Sequence, residues 1–267
     1  MSDDKLFADE IQAGLKTRVI GKRIYSYEEL DSTNTACRKL GEEGLPEGAC
    51  VFAEHQKKGR GRLDRKWESP KSRGILVSVL LRPAIEPYSV ARVTLAAALA
   101  VIRAVREETG LELGVKWPND VVNDGKKICG ILTEMSGEAD RVRFVVLGIG
   151  LNVNSTGKEL PPGGASLRDL LGKKVARVPL ARRLLTELEK SYERVKSGEH
   201  EELCEEWESV SSLTGRTVSA KLLGRTVNGI ATGIDADGAL WIRHDNGFQE
   251  RILSGDVQLV RKKEISK

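Results

Sequence analysis

Short apolar runs alternate with helical periodicity over the first 212 residues. The apolar runs predict strands at residues 23–27, 49–54, 74–81, 113–117, 120–123, 126–136 and 141–152. Apolar residues spaced three or four positions apart predict helices at residues 3–16, about 32–44, 89–109, 179–196 and 200–211. Asp31 or Ser32 can cap the second helix. Turn residues such as Asn123-Asp124-Gly125 indicate that the later strands follow one another as hairpins.

The pattern changes from Leu213 onward to short β-type runs separated by turns. Asp237-Gly238 and Asn246-Gly247 provide two of the turns. Five short strands in about 50 residues predict a small barrel. We therefore predict two domains, 1–212 and 213–267, of which the last six residues, 262–267, form a solvated tail.

Residues 55–73 are polar, basic and interrupted by glycines, which predicts a long exposed loop. Gly59 and Gly61 allow its backbone to bend closely around a ligand. Arg60 and Arg62 carry planar donors suited to carboxylate and phosphate oxygens. Trp67 offers a flat apolar surface for a purine. The alternative is a solvated basic loop, or one that contacts nucleic acid.

A second segment, Lys116-Trp117-Pro118-Asn119-Asp120, interrupts two strands at a proline. Asn119 and Asp120 can offer donors and acceptors to a ligand or to Mg²⁺. The alternative is a β-turn in which Asp120 only caps backbone amides.

Two strands carry the remaining candidate chemistry. Regular alternation places Lys127 on the same face as Cys129, Ile131 and Thr133. The lysine either points into a pocket, where it supplies a charge for a phosphoryl or carboxylate group, or extends to solvent. In the strand 141–152, Gly148 and Gly150 indicate close approach of another group. No third glycine opens a helix after them, so the pattern does not predict a dinucleotide-binding fold.

Composition excludes several classes of protein. The chain has 267 residues, of which 40% are hydrophobic and 31% charged, as in ordinary globular proteins. A net charge of +4 is too small to indicate nucleic-acid binding by itself. The cysteines and histidines have no metal-site or disulfide spacing. The acidic N-terminus lacks signal-peptide form, and the apolar stretch 93–105 is too short to span a bilayer, so we expect a cytoplasmic protein without a membrane partner.

Taken in order, these segments resemble the biotin–protein ligases. The matching stretches are Asp31-Ser32-Thr33-Asn34, Gln56, Gly59-Arg60-Gly61-Arg62, Lys116-Trp117-Pro118-Asn119-Asp120, Lys127 with Gly130-Ile131-Leu132, and Gly148-Ile149-Gly150-Leu151-Asn152. Each is weak alone, but their order and spacing over about 120 residues are specific. The C-terminal segment is similar as well.

The resemblance implies an α+β fold. Its catalytic domain would be similar to class II aminoacyl-tRNA synthetases, with a mixed, largely antiparallel sheet and packed helices, followed by an SH3-like β-barrel. About 20 residues precede the first catalytic strand, too few for a three-helix DNA-binding domain. We therefore expect an enzyme without a repressor role or nucleic-acid partner, either a monomer or a homodimer.

The resemblance also implies the reaction. ATP, with Mg²⁺, would activate biotin to biotinyl-5'-AMP, and biotin would then pass to a lysine of a biotin carboxyl carrier protein. The implied catalytic residues are Lys127, Arg62 and Asp120. The implied binding residues are Ser32, Thr33, Asn34, Gln56, Gly59, Arg60, Gly61, Arg62, Trp67, Asn119, Lys127, Gly130 and Asn152.

One position departs from the family pattern. Asp64 stands where the family often has glycine, and its carboxylate could pair with Arg62 or Arg65. Two alternative functions remain open. A lipoate or octanoate ligase or transferase has a related fold, and a nucleic-acid-binding module would show salt-dependent affinity without an ATP requirement.

Overall fold

The structure is a computed structural model that describes residues 4–138 and 140–260. Residue 3 of the first predicted helix and the tail 262–267 lie outside the described residues. A seven-stranded sheet forms the larger part of the molecule, in the order β1-β2-β3-β7-β6-β5-β4. Its strands are β1 (Arg23–Tyr27), β2 (Ala49–Ala53), β3 (Gly74–Leu81), β4 (Gly114–Lys116), β5 (Asp120–Asn123), β6 (Lys126–Gly137) and β7 (Val142–Asn152). Among these described strands β1 and β2 pair in parallel and the other neighbours are antiparallel, which confirms the predicted mixed sheet.

The centre of this sheet is covered on both faces, and this explains why β2 and β3 are continuous apolar runs. All residues of both strands are buried. Side chains alternate between the faces, so Val51 joins the cluster around Cys37 on one side while Phe52 joins the larger core on the other. The sheet is therefore the middle layer of the domain.

Six helices lie in the described residues. They are α1 (Ala8–Ala13), α2 (Thr33–Glu42), α3 (Ala91–Thr109), α4 (Leu167–Leu171), α5 (Arg177–Ser197) and α6 (His200–Ser209). Five were predicted, although α1 is shorter than expected and α2 ends at Glu42. Ser32 occupies the N-cap position of α2, but its side chain makes no capping hydrogen bond. Helix α4 was not predicted, because its five residues are too few to show a period.

Helix α3 is the most apolar helix of the chain. The expectation that the apolar stretch is too short to span a bilayer is wrong, since the segment Pro87–Thr109 is long and apolar enough to cross a membrane. Most of this segment, however, is buried inside the protein. It packs on α5, α6 and the sheet. Its apolar composition is therefore explained by the core that it fills.

The C-terminal segment forms a second, antiparallel sheet in the order β11-β10-β9-β8-β12. Its strands are β8 (Thr217–Lys221), β9 (Thr226–Ile234), β10 (Leu240–Arg243), β11 (Gln249–Ile252) and β12 (Asp256–Leu259). The five strands were predicted, whereas their closure into an SH3-like barrel and the boundary near residue 212 stay predictions. The sheet packs on the larger domain, where the backbone N–H of Ile234 donates to Glu208 and the indole N–H of Trp117 donates to the Gly238 carbonyl.

A buried ion pair joins three parts of the larger domain. Arg177, at the first residue of α5, is 1% exposed, and its Nη1 lies 2.8 Å from Glu54 Oε2 and 3.0 Å from the Gly74 carbonyl. The other oxygen of Glu54 accepts the backbone N–H of Leu6 at 2.7 Å. Arg177 Nε also lies 3.4 Å from Asp4 Oδ2. The charges of Arg177 and Glu54 are thus removed from water and satisfied by ionic and backbone partners.

We expect Arg177→Met to lower the free energy of unfolding by about 3–5 kcal/mol, because it leaves the Glu54 carboxylate buried without its partner. Arg183→Met, on the same helix, removes a half-exposed pair with Glu107 and Glu108 and should cost less than about 1 kcal/mol. Urea denaturation of both variants measures the difference. Equal losses of unfolding free energy in the two variants would show that the buried pair stabilises the fold no more than the half-exposed pair does.

Candidate active site

The sequence motifs meet in one cleft between the seven-stranded sheet, the loop 55–73 and the edge of the C-terminal sheet. The predicted site residues that line it are Ser32, Thr33, Asn34, Gln56, Arg60, Gly61, Arg62, Trp67, Asn119, Asp120, Lys127 and Gly130. Gly59 and Asn152 lie outside its lining. The motifs are therefore parts of one site rather than independent features of the surface.

The start of α2 forms one wall of the cleft. The backbone N–H of Thr33 donates to Gln56 Oε1 at 2.7 Å, which joins the helix to the loop. Ser78, on the central strand β3, has its Oγ 2.8 Å from Thr33 Oγ1 and 2.6 Å from Asn34 Oδ1. A buried hydroxyl on the sheet thus fixes two consecutive side chains of the helix. Ser78 was not predicted, since nothing distinguishes one serine in a buried strand.

Glycines on β6 and β7 form a flat floor. Gly130 and Gly150 are directly opposite in register, and the indole of Trp67 lies on them. A Cβ at Gly150 would be 2.5 Å from Trp67 Cε2, and one at Gly130 would be 2.8 Å from Cζ3. At Gly148 a Cβ would lie 2.1 Å from Asn34 Oδ1. The close approach predicted for Gly148 and Gly150 is therefore made by side chains of the protein itself.

The arginine loop folds back on itself above this floor. The N–H of Trp67 donates to the Gly59 carbonyl at 3.0 Å, and that of Gly61 donates to the Arg65 carbonyl at 2.7 Å. The turn between them places Leu63 and Asp64 at φ 53° and 57°. Aspartate adopts this left-handed region more readily than most residues, so it can stand at a position where glycine would also be suited.

The expectation that Asp64 pairs with Arg62 or Arg65 is wrong. In the fully described loop, Arg65 Nη2 lies 2.7 Å from Asp256 Oδ2, and Arg62 Nη1 donates to Asn119 Oδ1 at 3.2 Å and to the Gly255 carbonyl at 3.4 Å. The C-terminal sheet thus contributes Gly255 and Asp256 to the cleft. This contact was not predicted, because the two segments are about 190 residues apart in the chain.

Lys127 points into the cleft, but not from the strand face that alternation predicts. The β5–β6 pairing shifts so that Val121 faces Cys129 while Val122 faces Lys127, which leaves Ile128 as an extra residue. The bulge turns Lys127 to the face of Gly130, where its Cε is 2.9 Å from the position of a Gly130 Cβ. The shared face with Cys129, Ile131 and Thr133 is therefore wrong, and the pocket interpretation of Lys127 is the one that the structure supports.

An ion pair lies beside the glycine floor of the cleft. Lys127 Nζ lies 2.6 Å from Asp120 Oδ1 and 5.4 Å from the centre of the Trp67 ring. Asp120 therefore faces the cleft, rather than only capping a turn. Next to it, Asn119 Nδ2 donates to the Ile131 carbonyl at 2.6 Å, which leaves its Oδ1 for Arg62. Burial lowers the pKa of Arg62 below its usual value, yet a guanidinium stays protonated near neutral pH.

Two features extend the site beyond the predicted ligand contacts. Glu134, on β6, lies 2.9 Å from Arg60 Nη2 and accepts a hydrogen bond from Asn34, although no role was predicted for it. Its place on the same strand face as Gly130 was a usable signal. Asn152 donates to the Ala165 carbonyl at 3.2 Å, and its buried Oδ1 has no protein partner among the described residues. An acceptor thus remains available beside the cleft.

The arrangement favours charge neutralisation over covalent catalysis. Six cationic side chains line the cleft: Arg60, Arg62, Arg65, Lys66, Lys116 and Lys127. Burial raises the pKa of the nearby Cys129 thiol, so a thiolate is not available there. Within residues 4–138 and 140–260 no group of three or more His, Cys, Asp or Glu residues could hold a metal ion. The site is suited to binding anions close together.

Comparison with known families matches both parts of the chain. Residues 26–152 match the biotin/lipoate A/B protein ligase family, and residues 213–260 match the biotin protein ligase C-terminal domain. The first match contains every residue predicted for the site.

Individual relatives support the same family assignment. The bifunctional ligase/repressor BirA of Bacillus subtilis is 37% identical over 96% of this chain and 79% of its own length. The biotin–[acetyl-CoA-carboxylase] ligase of Mycobacterium tuberculosis is 37% identical over 80% of each chain. A solved biotin protein ligase from Aquifex aeolicus, in complex with biotin and ATP, superposes with a TM-score of 0.76 at 30% identity, covering 90% of this chain and 100% of that one.

The glycine floor makes a testable prediction. Gly150→Ala should displace the Trp67 indole and lower the free energy of unfolding by about 1–3 kcal/mol, because the added methyl group has no space. Acrylamide quenching of tryptophan fluorescence should rise, and this rise should vanish in a Trp67→Phe background. Gly157→Ala, where an added Cβ would be 3.7 Å from its nearest neighbour, is the control. Unchanged quenching in Gly150→Ala would contradict the described packing.

Proposed function

The chain belongs to the biotin protein ligase family, and from this we propose that it couples biotin to a carrier-protein lysine in two steps. The protein is an ATP-dependent ligase, and biotin and ATP are its substrates. The observation that carries the detailed proposal is the meeting of Arg60, Arg62 and Lys127 in a cleft beside the glycine floor.

The first step must overcome repulsion between two anions. A carboxylate oxygen of biotin attacks the α-phosphorus of ATP, a new P–O bond forms, and the bond to the leaving pyrophosphate breaks. At about 4 Å two unit charges repel by ~1 kcal/mol in water and ~4 kcal/mol at an effective dielectric of 20. A cleft that excludes water therefore needs positive charge of its own. The three cations supply it by positioning and electrostatic stabilisation.

Lys127 is the group that we propose to lie between the reacting carboxylate and phosphate. Its ammonium is held 2.6 Å from Asp120 and close to the Trp67 ring, so it is oriented before the substrates bind. It has three donors and can contact oxygens of both substrates at once. No protein nucleophile is needed, since biotin itself provides the attacking oxygen.

Biotin would bind on the α2 side of the cleft. Ser32, Thr33 and Gln56 lie there, and the contacts of Thr33 to Gln56 and Ser78 orient their polar groups before a ligand arrives. Arg60 enters from the loop on the same side through its pair with Glu134. The adenine would lie near Trp67, where Asn152 has a buried acceptor suited to an exocyclic amine.

In the second step the amine of the acceptor lysine attacks the carbonyl carbon of biotinyl-5'-AMP, and AMP leaves with the phosphate oxygen. We propose that Asp120 and Asn119 position this amine. The Asp120 carboxylate is the acidic group next to Lys127, and Asn119 is fixed by Ile131 and Arg62. The acceptor would be a biotin carboxyl carrier protein domain. A monomeric or homodimeric state and a cytoplasmic location stay predictions.

Mg²⁺ would enter as part of the ATP substrate. The ion is usually held by one or two carboxylates together with substrate phosphates. In the cleft Asp120 Oδ1 already faces Lys127, so this residue has one oxygen left to offer. The available donors thus fit an ion carried by ATP better than one held by a cage of protein ligands. When bound, it would neutralise phosphate charge.

A direct test compares biotin with lipoate and octanoate, because the matched family includes ligases for both kinds of acid. We expect biotin alone to drive exchange of labelled pyrophosphate into ATP. Mass spectrometry should then show biotin on one lysine of an isolated biotin carboxyl carrier domain. Exchange driven equally by lipoate, or no exchange with biotin, would refute the proposal.

Lys127→Ala should lower the rate of biotin-dependent pyrophosphate exchange by about 10²–10³-fold, the loss expected for one preorganised electrostatic group. Lys126→Ala removes the neighbouring exposed lysine and should stay within about 2-fold of the original rate. The two variants change the net charge equally. A near-normal rate in Lys127→Ala would exclude the assigned role.

A further inference from the structure

Glu134 stands at the back of the cleft and has no part in the reaction described above. Its two oxygens bind two different elements: Oε1 lies 2.9 Å from Arg60 Nη2, and Oε2 accepts from Asn34 Nδ2 at 2.7 Å. The Glu134 side chain is only 16% exposed. It therefore links the first turn of α2 to the arginine loop.

The Asn34 end of this link is rigid. Asn34 is buried, its Oδ1 is 2.6 Å from the buried Ser78 hydroxyl, and its amide therefore has one orientation. Gly148 makes room for this arrangement, since a Cβ there would overlap Asn34 Oδ1. Strands β3, β6 and β7 and helix α2 thus fix one oxygen of Glu134 in place.

At its other end, the link through Glu134 holds Arg60, whose side chain can change conformation. Its side chain is 49% exposed and belongs to a loop, so it would lose considerable rotamer freedom on binding a ligand. Among the described residues its ion pair is with Glu134. A guanidinium has five N–H donors, and a single carboxylate oxygen leaves others free to face the cleft. The pair therefore restrains the side chain without using all of its donors.

We propose that Glu134 is a positioning residue for biotin binding, which is itself fixed by Asn34 and holds Arg60 in one geometry before biotin enters. The inference rests on the proposed function. An exposed ion pair would contribute little, but this carboxylate is mostly buried and makes charge-assisted bonds on both sides. Among the described residues, Glu134 makes no hydrogen bond or ion pair with Trp67 or Lys127, which lie on the ATP side of the cleft.

Glu134→Gln tests the proposal with little change in volume. The amide has one acceptor oxygen, so its NH2 group must face a donor on either Arg60 or Asn34. We expect the KM for biotin in pyrophosphate exchange to rise about 10-fold (~1.4 kcal/mol). The KM for ATP should change by less than about 2-fold, since Glu134 does not contact that side.

Two further variants separate positioning from general stability. Glu187→Gln removes a buried carboxylate, 3% exposed, that pairs with Lys190 away from the cleft, and it should leave both KM values unchanged. Arg60→Met alters a half-exposed side chain and should reproduce the biotin defect. If Glu134 acts through Arg60, adding Glu134→Gln to Arg60→Met should cause little further rise.

The outcomes are distinct. Any of three results would overturn the positioning role while the ligase activity stands. They are an unchanged biotin KM in Glu134→Gln, additive effects of Glu134→Gln and Arg60→Met, and equal rises in the KM for biotin and the KM for ATP. A wild-type protein without biotin-dependent exchange would instead refute the proposed function, and the inference would fall with it. If Glu134→Gln does not unfold cooperatively, Arg60→Met alone decides, and an unchanged biotin KM there overturns the proposal.

Discussion

Two negatively charged substrates have to meet in one cleft, and the repulsion between them is the constraint on which the rest of the site depends. The positive charges that we assign to the reaction come from two elements: Arg60 and Arg62 from the loop, and Lys127 from the start of β6. Each is held by a different acceptor, respectively Glu134, Asn119 and Asp120. The cations are therefore oriented before substrates arrive, so less reorganisation is needed at the moment of reaction.

The sheet makes this arrangement possible because it provides both a floor and a fixed register. Gly130 and Gly150 face each other, so a flat ring can lie against the backbone of two strands. A bulge at Ile128 turns Lys127 onto the same face. The C-terminal sheet then closes the open side through Gly255 and Asp256. Catalytic geometry thus depends on packing between two domains as well as on the motifs themselves.

Much of the fold was predictable because its strands and helices have strong periodicity. Strands Arg23–Tyr27 and Gly74–Leu81 match the predicted bounds, whereas the apolar α3 begins two residues later than predicted and ends where predicted. The five C-terminal strands follow in the predicted order. Most of the motif residues meet in the cleft as the resemblance implied.

The predictions that failed concern contacts between residues distant in sequence, or irregular backbone. Regular alternation cannot predict a bulge, so Lys127 was placed on the wrong face of its strand. Asp64 was expected to pair with a neighbouring arginine, whereas Arg65 pairs with Asp256. Ser78 was missed because its role exists only once α2 packs on the sheet, and Glu134 was missed although it lies on the same strand face as Gly130.

The central claim is that the cleft recognises biotin through its negative charge before ATP reacts with it. Calorimetric titration of biotin against biotinol, in which a hydroxymethyl group replaces the carboxylate, measures this directly. The account predicts that the wild-type protein binds biotin at least about 10-fold more tightly (~1.4 kcal/mol) and that Lys127→Met largely removes the preference. Equal affinity of the wild-type protein for the two ligands, or a preference that survives in Lys127→Met, would contradict it.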